Sequence, residues 1–410
     1  TLPENTNANP IKSINTTEII LDEHDKRINK RYCGEENCRF LFAYHPTEQE
    51  SQANMHFMSF AQIAERLNRT LVLTNVGNSR IQACRKHPFS FYFNVDEFRH
   101  RFPNVRMITQ SDFRQWTIDR KRKPETYWSW IQPRDNPFKV EYLKPYPRLL
   151  KGRECLKQFK FVLNHKTVFK KIFLGVNFLW TQSEMDIAVT KFMLQQLNIT
   201  KEVLLLEHRL PKLLFKDPEK VPPIPYAEKL VQSAANVSDF IRPYVGIHWR
   251  MEQGNPKMMP KCARRLVKYL KSLKDHTSIE NVYLATDYPL LGSKSHKAQS
   301  STFRDLGPKH HEAFGILTKY LNESKRMHTW VSTNVLGYLP MDEGLMDEFR
   351  ESGIQGIADK LMLINATWFV SGPKGCARTS STFTKRIKDF RRRILEGGNK
   401  RLWNIHERWH

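Results

Sequence analysis

Residues 244–254 read YVGIHWRMEQG. The apolar run Tyr244-Val245-Gly246-Ile247 stops abruptly at His248-Trp249-Arg250, with Glu252 and Gly254 just beyond. A short apolar run of this kind reads as a buried strand. In an open α/β sheet, ligands sit outside the carboxyl ends of the strands. Arg250 stands at such an end. Its planar fork of donors keeps its proton, which suits a pyrophosphate. The plainer alternative is that Arg250 pairs with its neighbour Glu252.

The chain has 410 residues, so two domains are expected rather than one core. A hydrophobic content of 40%, with 9 Trp and 25 Phe, is enough to build both. The formal net charge is +24, from 66 Lys+Arg against 42 Asp+Glu, and that excess attracts anions. The basic residues are spread along the chain with no RNA-recognition or zinc motif, so a nucleic-acid partner is not expected. No apolar run is long enough to span a bilayer, and the first residue is Thr1; a soluble chain, or one whose membrane anchor lies upstream, is expected. Six cysteines fit neither a zinc finger nor a Cys-x-x-Cys pair, and three bridges in an oxidising lumen are expected. Asn-x-Ser/Thr triplets begin at Asn15, Asn68, Asn198, Asn236, Asn322 and Asn365, which also leans towards the secretory pathway.

Read in order, residues 1–31 are polar and aperiodic, a stem or disordered lead-in. Cys38–Tyr44 is strand-like, Phe57, Phe60, Ala61, Ala64 and Leu67 follow helical spacing, and Leu71-Val72-Leu73 is the next strand. This is the opening of a doubly wound α/β half. Residues 84–153, aromatic and basic with many prolines, read as a loop-rich insertion. Four prolines within 215–226 mark the interdomain boundary. The expected division is therefore a first domain over 32–222, a second over 223–395 and a tail over 396–410. The second half repeats the rhythm: a strand at Tyr244–His248, a helix through Ala263–Leu273, a strand VYLAT ending at Asp287, a helix to Asn365, a strand Trp368–Val370 and a basic helix from Thr382.

Three strand ends in this half carry polar tips: His248 and Arg250, then Asp287, then Thr379, Ser380 and Ser381 before the last helix. Hydroxyls at a helix start make a phosphate site, and they are equally routine N-caps. A carboxylate after VYLAT could accept the N–H pair of a guanine, or cap a turn. Together the three fit a nucleoside diphosphate.

The stretches VYLATDYPLL at 282–291, IHWR at 247–250, ANMHFMSFAQIAERLNRTLVL at 53–73 and the cysteine and small hydroxyl residues within 368–383 resemble the fucosyltransferase superfamily of protein O-fucosyltransferases and α1,6-fucosyltransferases. The resemblance covers roughly residues 38–395, through the order and spacing of these segments. It implies a GT-B fold of two Rossmann-like domains facing a cleft, GDP-fucose as donor, a protein or glycan acceptor, inversion at the sugar carbon and no metal. The lack of any Asp-x-Asp triplet agrees with the last point. Carried over, Arg250 contacts the β-phosphate and assists departure of GDP, His248 orients the nucleotide, Asp287 reads the guanine, and Thr379 and Ser380 hold phosphate oxygens, with Ser381 beside them. The resemblance also places the protein in the Golgi or endoplasmic reticulum lumen.

The first loop departs from the family pattern. Where protein O-fucosyltransferases often have a glycine-rich loop ending in Gly-Asn, this chain has TEQESQ at 47–52, with Ser51 in place of the asparagine. Glu48, three residues earlier, is the candidate base on the acceptor hydroxyl. Glu252 is a second. The departure keeps another reading open: a catalytically silent GT-B-like carbohydrate-binding protein. A bridge between Cys262 and Cys376 would tie two of the nucleotide segments together.

Overall fold

A computed structural model describes residues 21–134, 138–144, 154–164, 168–175, 184–209, 222–252, 254–290, 306–323, 326–337, 353–379 and 381–409. The chain begins with helix α1 (Glu23–Cys33), capped by the Asp22 side chain at one end and by Gly34 in the left-handed region at the other. Asp25 and Asn29 on this helix are buried, and Asn29 accepts the Trp116 indole N–H at 2.8 Å. The lead-in expected over 1–31 therefore ends before Glu23; residues 1–20 lie outside the described ones.

Seven strands form the first sheet: β1 (Phe40–Phe42), β2 (Thr70–Leu73), β3 (Met107–Thr109), β4 (Thr126–Arg134), β5 (Lys139–Leu143), β6 (Val168–Gly175) and β7 (Val203–His208). Their spatial order is β3-β2-β1-β7-β4-β6-β5, parallel except for the edge strand β5. Between them run α2 (Glu50–Arg66), α3 (Val95–Arg101), α4 (Gln110–Asp119) and α5 (Glu184–Leu197). Residues 84–153 are thus not an insertion. They supply α3, α4 and three sheet strands, and in TYWSWIQPR both Trp128 and Trp130 are buried.

The second sheet has five parallel strands: β8 (Tyr244–Trp249), β9 (Asn281–Thr286), β10 (Met327–His328), β11 (Trp368–Ser371) and β12 (Glu407–Arg408). Its order is β10-β9-β8-β11-β12. The chain therefore winds outward from β8 twice in opposite directions, leaving a switch point between β8 and β11, where such sheets hold ligands. β8 is buried over its whole length, as a central parallel strand must be. At Gly246 a Cβ would come within 2.7 Å of the Ala366 Cβ, so only glycine lets the helix over Ile354–Asn365 pack this closely. The helices are α6 (Glu228–Ile241), α7 (Met259–Thr277), α8 (Pro308–Asn322), α9 (Ile354–Asn365) and α10 (Thr382–Glu396).

The residues expected to form a tail, 396–410, belong to this sheet instead. β12 pairs with β11, and Trp409 is fully buried against Trp249. Asn404 brackets Phe369 with two hydrogen bonds, 2.8 Å from its N–H and 3.1 Å to its carbonyl. Arg391 on α10 is fully buried too, its guanidinium donating to the carbonyls of Ile364, Ala366, Asn404 and Ile405, among others.

One buried apolar cluster runs through both halves, from Leu41 and Phe57 to Leu363 and Ile387. Two outer clusters cover the far faces of the two sheets. The six cysteines form three bridges, Cys33–Cys38, Cys84–Cys155 and Cys262–Cys376. Among the described residues no helix is long and apolar enough to cross a membrane.

Candidate active site

A cleft of about 280 Å³ opens between the two sheets. Its lining comes from the start of α2 (Gln49, Glu50, Ser51, Gln52), the ends of β8 and β9 (His248, Arg250, Thr286, Asp287), the start of α9 (Gln355, Gly356, Asp359) and the start of α10 (Thr382, Phe383), with Arg378. Three helix amino termini thus converge on one space. Each carries first-turn N–H groups with no carbonyl partner inside its own helix, and the positive end of a macrodipole. With two arginines added, the cleft is built for an anion.

Arg250 pairs with Glu252, whose side chain is 2% exposed and also lies 3.6 Å from Arg378. Both readings of Arg250 therefore hold together: it is ion-paired, and it still faces the cleft at 15% exposure. Glu252 is not part of the lining. It holds the two guanidiniums in place, which leaves it unsuited to take a proton from an acceptor.

Asp287 was expected to read a base. Its two oxygens instead accept the backbone N–H groups of Met251 at 2.8 Å and Glu252 at 3.0 Å. Burial pushes its carboxyl up to about 6, against the pull of those two N–H groups and of Arg250. Asp287 borders the cleft chiefly as the anchor of the loop that carries Arg250. Thr286 reinforces this by donating to the Trp249 carbonyl at 2.9 Å.

His248 is buried, with Nδ1 2.8 Å from the Thr384 hydroxyl and its ring 4.8 Å from that of Phe383. Burial, then the nearby Arg250, lowers its pKa to about 3, so it presents a neutral imidazole. Ser381 is the N-cap of α10, accepting the Thr384 N–H at 3.4 Å, and does not line the cleft. Thr379 is exposed and stands outside the lining. Ser380 lies outside the described residues. At the start of α10 it is Thr382 that lines the cleft, a residue that the sequence did not single out.

Glu48 is the largest departure. It does not reach the cleft. Its Oε1 lies 2.5 Å from His56 Nδ1 and 2.8 Å from His208 Nε2, and both imidazoles are buried. Burial opposes its charge, but hydrogen bonds from His208 and His56 outweigh that and hold the carboxyl well below the usual range. Among the described residues these three side chains form one group of metal-ligand type. Their contacts are hydrogen-bond lengths, whereas donor atoms around a tetrahedral zinc stand about 3.3 Å apart. Gln52 completes the network 3.2 Å from His56 Nε2. The cluster fixes the segment leading into α2.

Ser51 does line the cleft, and donates to Glu50 Oε2 at 3.2 Å. Glu50 is buried and joins the two halves: it takes Lys360 Nζ of α9 at 2.5 Å and the Tyr226 hydroxyl at 2.8 Å. Burial pulls the Lys360 ammonium below its ordinary value while Glu50 opposes that. The sequence missed Glu50, Gln355 and Asp359. Gln355 is 3% exposed, and its Oε1 has no hydrogen-bond partner among the described residues. Asp359, one turn further along α9, accepts the Tyr283 hydroxyl at 2.8 Å on one oxygen, and burial pushes its carboxyl up to about 7. Two acceptors one turn apart at the cleft wall are a place for a ligand with adjacent donors.

No protein-family model matches the chain, and no curated protein sequence does. Among solved structures, POFUT1 in complex with GDP-fucose (crystal-form-I) superposes with a TM-score of 0.51 at 13% identity, over 91% of this chain and 97% of that one. The chain has the fold of POFUT1. It is the GT-B fold, two Rossmann-like domains facing a cleft, as the sequence resemblance implied. POFUT1 in its second GDP-fucose crystal form covers 91% of this chain and 98% of its own, with a TM-score of 0.49 at 14% identity. The NodZ α1,6-fucosyltransferase soaked with GDP-fucose has a TM-score of 0.42 at 12% identity, over 86% of this chain and 92% of that one.

Proposed function

We propose that the chain is a metal-independent, inverting glycosyltransferase of the secretory lumen that transfers fucose from GDP-fucose to a protein or glycan hydroxyl. The observation that carries this reading is Arg250, at the end of the central strand β8 beside the switch point, facing the starts of α2, α9 and α10. Departure of GDP leaves negative charge on the β-phosphate. A guanidinium and three helix amino termini, already oriented, stabilise that charge without reorganising. Gln355 and Asp359 offer acceptors to the N1–H and N2–H edge of a guanine. The neutral His248 offers a ring N–H to a ribose or phosphate oxygen. In this reading Arg250 is the catalytic residue, Ser51 and Thr382 contact donor or acceptor, and Asp287 and Glu252 position Arg250. Glu48 leaves the mechanism as a base.

Each carboxylate in the described lining, Glu50, Asp287 and Asp359, already holds a protein donor. That observation favours a second reading, a GT-B-like protein that binds the nucleotide sugar or a glycan without transfer. Calorimetric titration with GDP, ADP and UDP, followed by turnover of GDP-fucose over an acceptor panel, tests both. GDP bound at least about tenfold more tightly than the other two, with fucose transferred, supports the enzyme. GDP binding without turnover supports the second reading. Equal, weak binding of all three nucleotides would overturn both nucleotide assignments.

A further inference from the structure

Cations on several helices of this chain meet a carboxylate one turn away, as in Lys26–Glu23 at 2.7 Å, Arg101–Glu97 at 3.3 Å and Lys309–Glu312 at 2.7 Å. Helix α7 breaks this habit. Lys257 just ahead of it, and Lys261, Arg264, Arg265, Lys268 and Lys271 along it, are all exposed. Steps of three and four residues put them on one face. The opposite face carries Cys262, Ala263, Leu266, Leu270 and Leu273 into the core. Like charges at this spacing repel. The first turn holds no acidic residue, and cations towards a helix amino end oppose the macrodipole. The row therefore works against the helix that carries it. Lys271 lies 5.5 Å over the Tyr320 ring, but no ion pair or ring contact is found for Lys261, Arg264, Arg265 or Lys268 among the described residues. A local rule broken for so little packing gain marks a place to look for function.

The row also has a defined position. The Cys262–Cys376 bridge and the hydrogen bond from Asn255 N–H to the Gly375 carbonyl, 2.9 Å, pin its start to the segment bearing Arg378. It begins at the cleft rim and runs outward, covering about 15 Å between Lys261 and Lys271 at 1.5 Å per residue. A ribbon of cations one helix wide complements a linear polyanion better than a planar surface. All cysteines are paired, which indicates an oxidising compartment, where acidic polymers are glycans rather than nucleic acid.

We propose that the exposed face of α7 binds a linear sulfated glycan, independently of what the cleft binds. The test measures binding of the full chain to a defined sulfated octasaccharide at several salt concentrations. Its desulfated counterpart, a single-stranded oligonucleotide of matched charge and phosphatidylserine vesicles run alongside. The expected result is binding of the sulfated chain alone, weakened at least about tenfold and with a shallower salt dependence in K261Q/R264Q/R265Q/K268Q. A K385Q/K388Q control on α10 should change it less than about twofold. The α7 variant should keep its GDP affinity, or its lack of one, and its Tm should hold or rise. Absence of binding, equal loss in the control, or equal or stronger binding of the oligonucleotide or vesicles would overturn the proposal.

Discussion

The Asp287 carboxylate accepts the backbone N–H of Glu252 at 3.0 Å, and Glu252 in turn holds the Arg250 guanidinium. A residue at the end of one strand thus aims a cation at the end of the next through a short buried relay. The aim matters because a leaving phosphate is stabilised only by donors that are already in place.

Replacing Arg250 with Lys keeps a charge for Glu252 but loses the planar fork. Turnover of GDP-fucose should fall by about a hundredfold or more, with Tm nearly unchanged. Steady-state kinetics beside a melting curve checks both. Turnover within about threefold of the parent would remove Arg250 from the chemistry.

Glu48→Gln should behave oppositely. Its carboxylate sits between His56 and His208 rather than in the cleft. Stability should drop while turnover falls less than about tenfold. The depressed carboxyl pKa stabilises the fold above the ordinary glutamate range, and that contribution is lost as pH falls. The parent should therefore lose more stability than the variant on acidification, read from denaturant midpoints.

Asp359 carries the reverse sign. Its folded-state pKa is raised from 3.8 to about 7. The associated stability is fully present below the unfolded value and is lost as pH rises through 7. Asp359→Asn keeps an acceptor for the Tyr283 hydroxyl, so it should flatten the stability profile between pH 4 and pH 8. At pH 8 the variant should be the more stable by a few kcal/mol, about 1.4 per pKa unit. A variant profile that tracks the parent would refute this assignment.

Converting Cys262 and Cys376 to Ser opens a loop of 114 residues. The loss should be about 2–5 kcal/mol. The backbone carbonyl of Cys376 accepts the Trp249 indole N–H at 3.0 Å, next to Arg250, so with the bridge no longer holding this segment GDP affinity should weaken as well. Chemical denaturation and nucleotide titration of the double variant separate the two effects.

The second half was legible because its signals are local. A run such as YVGIHW or VYLAT, buried on both faces, declares a central parallel strand, and the polar residue that ends it declares a strand tip. The misreadings concern partners distant in sequence. Glu48 was read as the base on an acceptor hydroxyl, yet His208 lies 160 residues away in sequence and only 2.8 Å away in space. Gln355 and Asp359 were passed over because IQGIADKLMLIN has the look of an ordinary apolar helix. Polar side chains on a helix buried nearly all round were the available signal. TYWSWIQPR was hidden by its proline and its basic surroundings, although its tryptophans alternate as strand residues do.

The edge strand β12, with Trp409 behind it, is the last of the five strands of its sheet in chain order. Synthesis proceeds from the amino end, and domains form as units during it. The sheet that carries Arg250 therefore waits for its edge strand until Arg408 has been translated. Until then Arg391 lacks the Asn404 and Ile405 carbonyls that receive its guanidinium. A nascent chain that stops short of Asn404 would leave this sheet open at that edge, so maturation of the cleft is tied to the arrival of these residues.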